Sequence, residues 1–180
     1  MAELQDEIAQ LLREHQTKTG KLLTIGTVES ATGGRISDRI TNVPGSSDYY
    51  KGSIVAYSND AKSSIVGVKT TTLRKHGAVS PQVAMEMADE GRKLLKVDIC
   101  VSDTGIAGPT GATRGKPVGL FYIGLSTKDK TIAQEHRFHG TRDSNKHKAA
   151  EATLQLLRDS LKEYSRDKLA GGLDERHVVT

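Results

Sequence analysis

The chain has 180 residues, one cysteine, no tryptophan and only two Phe and five Tyr. This fits a single domain with an aliphatic core, able to bury roughly 70% of its unfolded surface without a disulfide or metal staple. A pI near 9.1 suggests nucleic acid, but the net charge is only +4, and residues 136–148 supply +3 of it through Arg137, Arg142, Lys146 and Lys148 against Asp143. One small anionic ligand explains so local a charge better than a phosphate-tracking stripe does, and aromatic platforms for single strands are scarce. No run approaches 18 apolar residues, so no membrane span is expected. The acidic, amphipathic first ten residues lack a secretory pattern, and the expected compartment is the cytoplasm.

Leu4, Ile8, Leu11 and Leu12 predict an amphipathic helix over 3–17. Leu22 to Val28 reads as a strand, followed by the turn Thr32-Gly33-Gly34 and a helix carrying Ile36, Ile40 and Val43. Ser53 to Tyr57 is a second strand. Ser58-Asn59 then offers a helix cap, with Gly67 as its stop. Ser80-Pro81 opens a helix that Val83, Met87, Leu94 and Leu95 carry to about residue 95. Asp98 to Ser102 is a central strand, with Cys100 in its core. Residues 103–117 are too rich in Gly and Pro for a regular element and form a long loop. Val118 to Ser126 and Thr131 to Phe138 pair as strands across Lys128-Asp129-Lys130. Residues 144–163 form the last helix, with Ala149, Ala152, Leu156 and Leu157 inward, and 164–180 are read as a charged mobile tail. The alternation of helices and strands predicts one α/β domain over 1–163, a sheet with helices on both faces.

Ligands in such folds gather beyond the carboxyl ends of strands, and four polar clusters fall there. Glu29-Ser30-Ala31-Thr32-Gly33-Gly34 lets backbone approach a ligand before a helix N-terminus that attracts anions. Gly45-Ser46-Ser47-Asp48-Tyr49-Tyr50 is the second. In Tyr57-Ser58-Asn59-Asp60-Ala61-Lys62, the lysine in the first helical turn opposes the macrodipole, which favours the neutral amine and, with burial, a general base. Asp103-Thr104-Gly105-Ile106-Ala107-Gly108-Pro109 opens the loop with amides that can form an oxyanion hole. For each, the plainer reading is a capped turn or a solvated lysine. Arg142, beside the last helix start, suits a phosphate. His136 and His139 point to opposite faces of their strand, so no metal site is expected. The loop glycines match neither a P-loop nor a dinucleotide fingerprint.

Together these words resemble the CinA C-terminal domain family, the nicotinamide-nucleotide amidohydrolases also called PncC. The match spans roughly residues 4–162. It adds Pro44-Gly45-Ser46-Ser47, His76-Gly77-Ala78-Val79-Ser80, Lys116-Pro117-Val118-Gly119 and Gly140-x-Arg142 in compatible order. The resemblance implies a three-layer α/β/α domain with a mixed sheet. It implies hydrolysis of the carboxamide of nicotinamide mononucleotide by a Ser/Lys pair, with neither metal nor cofactor, in a homo-oligomer. By position it makes Ser47 the nucleophile, with Ser30 as the alternative, and Lys62 the base. Tyr57 would position them or relay a proton. Ser30 and Thr104 would hold the oxyanion or the amide, and Gly33, Gly34, Gly105 and Arg142 the substrate and its phosphate. Ala31 stands where the family commonly has Cys, which excludes a thiol nucleophile there, and Lys146-His147 replaces a second downstream Arg. Many family members carry an N-terminal domain related to molybdopterin-binding proteins, and beginning this close to the amidohydrolase domain the chain is not expected to include one. The alternative reading is a catalytically silent nucleotide-binding module.

Overall fold

Five strands make one sheet in the computed structural model, which describes residues 2–174 and side chains as far as Arg166. They are β1 (Ile25–Glu29), β2 (Tyr50–Val55), β3 (Ile99–Gly105), β4 (Leu120–Ser126) and β5 (Thr131–Arg137), in the order β2-β1-β3-β4-β5. The first three are parallel and joined through helices; β4 and β5 are antiparallel additions, closed by the turn in which Thr127 N donates to Lys130 O. Every residue of β1 is buried, as befits a strand covered on both faces, whereas the edge strand β5 is mostly half-exposed or exposed.

Two helical layers cover the sheet, so the expected three-layer α/β/α arrangement with a mixed sheet is found. Helices α1 (Leu4–Thr19), α2 (Arg35–Thr41) and α6 (Arg142–Asp174) share one face with Ile25, Ile99, Val101, Ile123 and Leu125. Helix α5 (Pro81–Leu95) shares the other with Val28 and Cys100. It packs close because two glycines face the contact: a Cβ on Gly91 would sit 2.2 Å from Val28 Cγ2, and one on Gly124 would sit 2.3 Å from Ala84 O. Burial pushes the Cys100 thiol up to about 12, so it is an inert core residue.

Ser58 caps α3 (Asn59–Ala61) by accepting from Ala61 N, and the helix runs on as a π-turn, Lys62–Val66, to Gly67 at φ +97°. Ser80 caps α5 in the same way, by accepting from Val83 N. Of the two leucines that end its apolar pattern, Leu95 packs against the core and Leu94 is exposed. Strand β2 begins at Tyr50 rather than Ser53 and ends before Tyr57.

Helix α4 (Thr70–His76) has no counterpart in the sequence reading. Its three threonines are weak helix formers and Leu73 is its one large apolar residue. A carboxylate from α5 stabilises it, because Glu86 accepts from Lys69 N (2.9 Å) and Thr72 Oγ1 (2.6 Å). Helix α6 starts at Arg142 and continues past residue 163 to Asp174. The end of the expected tail, 175–180, lies outside the described residues.

Candidate active site

Strand β1 leads to β2 on one side of the sheet, and β3 lies on its other side. The connections leaving the carboxyl ends of β1 and β3 therefore diverge, and a crevice opens between them. The turn after β1 is built around Glu29, which is fully buried. Its Oε1 accepts from Thr32 Oγ1 (2.8 Å), Gly34 N (3.1 Å) and Ile36 N (2.9 Å), and its Oε2 from Ser37 N (3.0 Å) and Ser53 Oγ (3.2 Å). The protein's own carboxylate thus occupies the start of α2, where a substrate phosphate was expected. Gly33 and Gly34, at φ +62° and +102°, wrap the turn around that carboxylate and do not line the crevice.

Asp103, buried on β3, secures the same turn from the other side. Its Oδ1 accepts from Ser30 N (2.9 Å) and its Oδ2 from Thr32 N (3.1 Å). Burial pushes its carboxyl up to about 6, and Glu29 nearby adds to the shift, while the backbone amides of Ser30 and Thr32 restrain it.

The Ser30 side chain meets Lys62, which is 2% exposed. Lys62 Nζ lies 2.8 Å from Ser30 Oγ, 2.9 Å from Ala56 O and 3.4 Å from Tyr57 O. Two carbonyls can take two N–H bonds and leave the third direction of the nitrogen to the serine. Burial lowers the Lys62 amine below its ordinary value, against the opposing pull of Asp103.

The expected Ser47–Lys62 pair is not formed. Ser47 lies exposed in the 3₁₀ turn Ser46–Asp48, before the amino end of β2, whereas Lys62 follows its carboxyl end. Six residues of strand separate the two ends by about 17–20 Å.

Ser30, Ala31, Tyr57, Lys62, Thr104 and Arg142 line one cleft of about 320 Å³, together with the loop after β3. Arg142 Nη1 donates to Gly108 O and Nη2 to Tyr57 Oη, each at 2.8 Å. Among the described residues Arg142 has no carboxylate partner. Tyr57 touches Lys62 through its carbonyl, while its hydroxyl serves Arg142. Thr104 Oγ1 donates to Ala78 O (2.8 Å), so its proton is committed to the backbone. Gly105 owes its identity to packing, since a Cβ there would lie 2.2 Å from Phe121 Cδ1.

The amides of Ala31, Ala107 and Gly108 are among the lining amides that make no hydrogen bond within the described residues. The loop that carries two of them is fastened by residues to which the sequence reading assigned no role. Asn145, fully buried on α6, donates to Ala107 O (3.0 Å) and Gly140 O (3.1 Å), and Lys116 Nζ donates to His76 O (2.6 Å). The one available signal was a polar residue where a core-facing helix position was due. Glu29 and Asp103 were visible as acids closing apolar strands. No group of three or more metal-ligating side chains is assembled among the described residues.

A family model described as the CinA C-terminal domain matches residues 2–161. The chain is 49% identical over 138 residues to a CinA-like protein of Salinibacter ruber, covering 77% of this chain and 34% of that protein. It is 42% identical over 163 residues to a CinA-like protein of Thermotoga neapolitana, covering 91% of this chain and 38% of that one. It therefore spans little more than a third of the length of these relatives. The crystal structure of competence/damage inducible protein CihA from Agrobacterium tumefaciens superposes with a TM-score of 0.80 at 30% identity, covering 90% of this chain and 97% of that one. A CinA superfamily protein from Enterobacter cloacae gives 0.81 at 30% identity, covering 88% and 90%.

Proposed function

The chain belongs to the CinA C-terminal domain family, and on that premise we propose that it hydrolyses the carboxamide of nicotinamide mononucleotide, releasing ammonia and nicotinic acid mononucleotide. The observation that carries the reading is a buried Lys62 amine 2.8 Å from Ser30 Oγ, in a cleft that also holds an arginine without a carboxylate partner. A lysine with a lowered pKa beside a serine is the arrangement of a base and its nucleophile. Arg142 supplies the charge that an anionic nucleotide needs. The volume, about 320 Å³, falls at the small end of the ~300–1,000 Å³ range of small-ligand clefts.

In this reading Ser30, not Ser47, attacks. Neutral Lys62 takes the Ser30 proton as Oγ adds to the amide carbon. The oxyanion is met by amides from Ala31 and from Ala107 or Gly108, which have no other acceptor among the described residues. The Lys62 ammonium then protonates the departing nitrogen, ammonia leaves, and an acyl ester remains on Ser30. Water, deprotonated by the same lysine, cleaves that ester, and the proton returns to Ser30. Arg142, held by Tyr57 and Gly108, binds the 5′-phosphate.

The test is an ammonia-release assay with nicotinamide mononucleotide, set against nicotinamide and its riboside, on the chain and on Ser30→Ala and Lys62→Met. Release that needs both residues and the phosphate supports the reading. Tight binding without release would instead make the chain a silent nucleotide-binding module.

A further inference from the structure

Thr32 Oγ1 lies 2.8 Å from Glu29 Oε1 and 2.5 Å from Asp103 Oδ1, and all three residues are fully buried. A threonine hydroxyl carries one proton. It can donate to one of these carboxylates only. The other contact holds if that carboxyl brings its own proton, because two bare oxygens at that distance repel.

The donors around each acid decide which one is protonated. Glu29 already accepts three backbone N–H groups and the Ser53 hydroxyl, spread over both oxygens. A proton on Glu29 Oε1, the oxygen facing Thr32, would stand against the two amides that donate to that oxygen, and one on Oε2 would have to turn the Ser53 or Thr27 hydroxyl into an acceptor. Asp103 accepts one amide on each oxygen and keeps a direction free toward Thr32. We infer that Asp103 is protonated in this arrangement, donates to Thr32 Oγ1, which in turn donates to Glu29, and thereby acts as the positioning residue of the Ser30 turn.

The titratable groups bearing on Asp103 are Glu29 on β1 and Lys62 after α3. Burial and the Glu29 charge both favour its neutral form. The consequence for catalysis rests on the proposed reaction: below about pH 6 a neutral Asp103 adds no negative charge beside Lys62, and above it the returning charge raises the pH at which Lys62 becomes the neutral base.

Carboxyl-carbon NMR of the uniformly ¹³C-labelled full chain tests this, with Asp103 assigned through its own backbone correlations. Asp103 should keep the acid chemical shift at about pH 5, roughly a unit above the ordinary aspartate value. Thr32→Val should lower its midpoint, because the acceptor of its proton is gone, and Thr32→Ser should restore it. A carboxylate shift at that pH, or a midpoint that rises in Thr32→Val, overturns the inference. The wild-type spectrum decides by itself if Thr32→Val does not fold. The readout needs no turnover, so failure of the amidohydrolase reading and failure of this one are distinguishable.

Discussion

Lys62 Nζ and Ser30 Oγ meet at 2.8 Å across 32 residues of chain. The meeting follows from strand order. Ser30 ends β1, and the helix bearing Lys62 follows β2, which runs parallel to β1 with Glu29 opposite Val55. Both residues therefore emerge at the same end of the sheet. Ala56, whose N donates to Glu29 O at 2.8 Å, carries the register one residue further and presents its carbonyl to the lysine.

Removing either partner should therefore be severe. Ser30→Ala and Lys62→Met are each expected to lower kcat for ammonia release by ~10²–10⁴-fold or more. Ser47→Ala, at an exposed turn, should stay within about twofold. Steady-state kinetics on the three variants checks this, and a severe loss in Ser47→Ala with an active Ser30→Ala would return the nucleophile to Ser47.

The pH profile should carry the signature of the buried amine. Lys62 must be neutral to act, so activity should rise with pH through a midpoint below the ordinary lysine range, because burial lowers that group. The plot of kcat/KM against pH reads this directly. The limb should be absent from the residual activity of Lys62→Met.

Arg142 is expected to act on binding. Charge-assisted hydrogen bonds are worth ~1.5–3 kcal/mol, so Arg142→Ala should raise KM for the nucleotide ~10–100-fold and leave KM for the riboside unchanged. Arg142→Lys should recover little, since one ammonium cannot take the places of both guanidinium nitrogens on Gly108 O and Tyr57 Oη. Tyr57→Phe should show a smaller effect in the same direction.

Asp103 should make stability depend on pH. Its folded pKa, about 6, lies above the unfolded 3.8. Its contribution is fully present below about 3.8 and is lost as pH rises through about 6, a change of ~3 kcal/mol at 1.36 kcal/mol per unit. Urea unfolding across that range should show the loss in the wild type and its removal in Asp103→Asn.

The loop depends on a glycine at its exit. A Cβ on Gly119 would lie 1.8 Å from Phe138 O, and its φ is +89°. Gly119→Ala should cost ~3 kcal/mol or more, from overpacking and left-handed strain together. Amide exchange should show the loss as faster opening over residues 106–119.

The sequence by itself determined the class of fold, the two helix caps at Ser58 and Ser80, the core strands and the set of polar words at strand ends. These are local matters: periodicity, cap chemistry and apolar runs act within a few residues. It also placed Ser30, Lys62, Tyr57, Thr104 and Arg142 on one short list. Only the tertiary structure decided which of them meet. Ser47 and Lys62 stand in neighbouring words, yet a whole strand lies between them, so chain proximity misled where strand register decided. The start of α2 looked open to a phosphate until Glu29 folded back into it. Helix α4 existed in no periodicity because its stabilising carboxylate comes from Glu86 on α5. In each case the partner that settled the matter reaches across from a different part of the fold or from a strand end onto the helix that follows it. Such a partner becomes visible only when the buried donors and acceptors are matched in space.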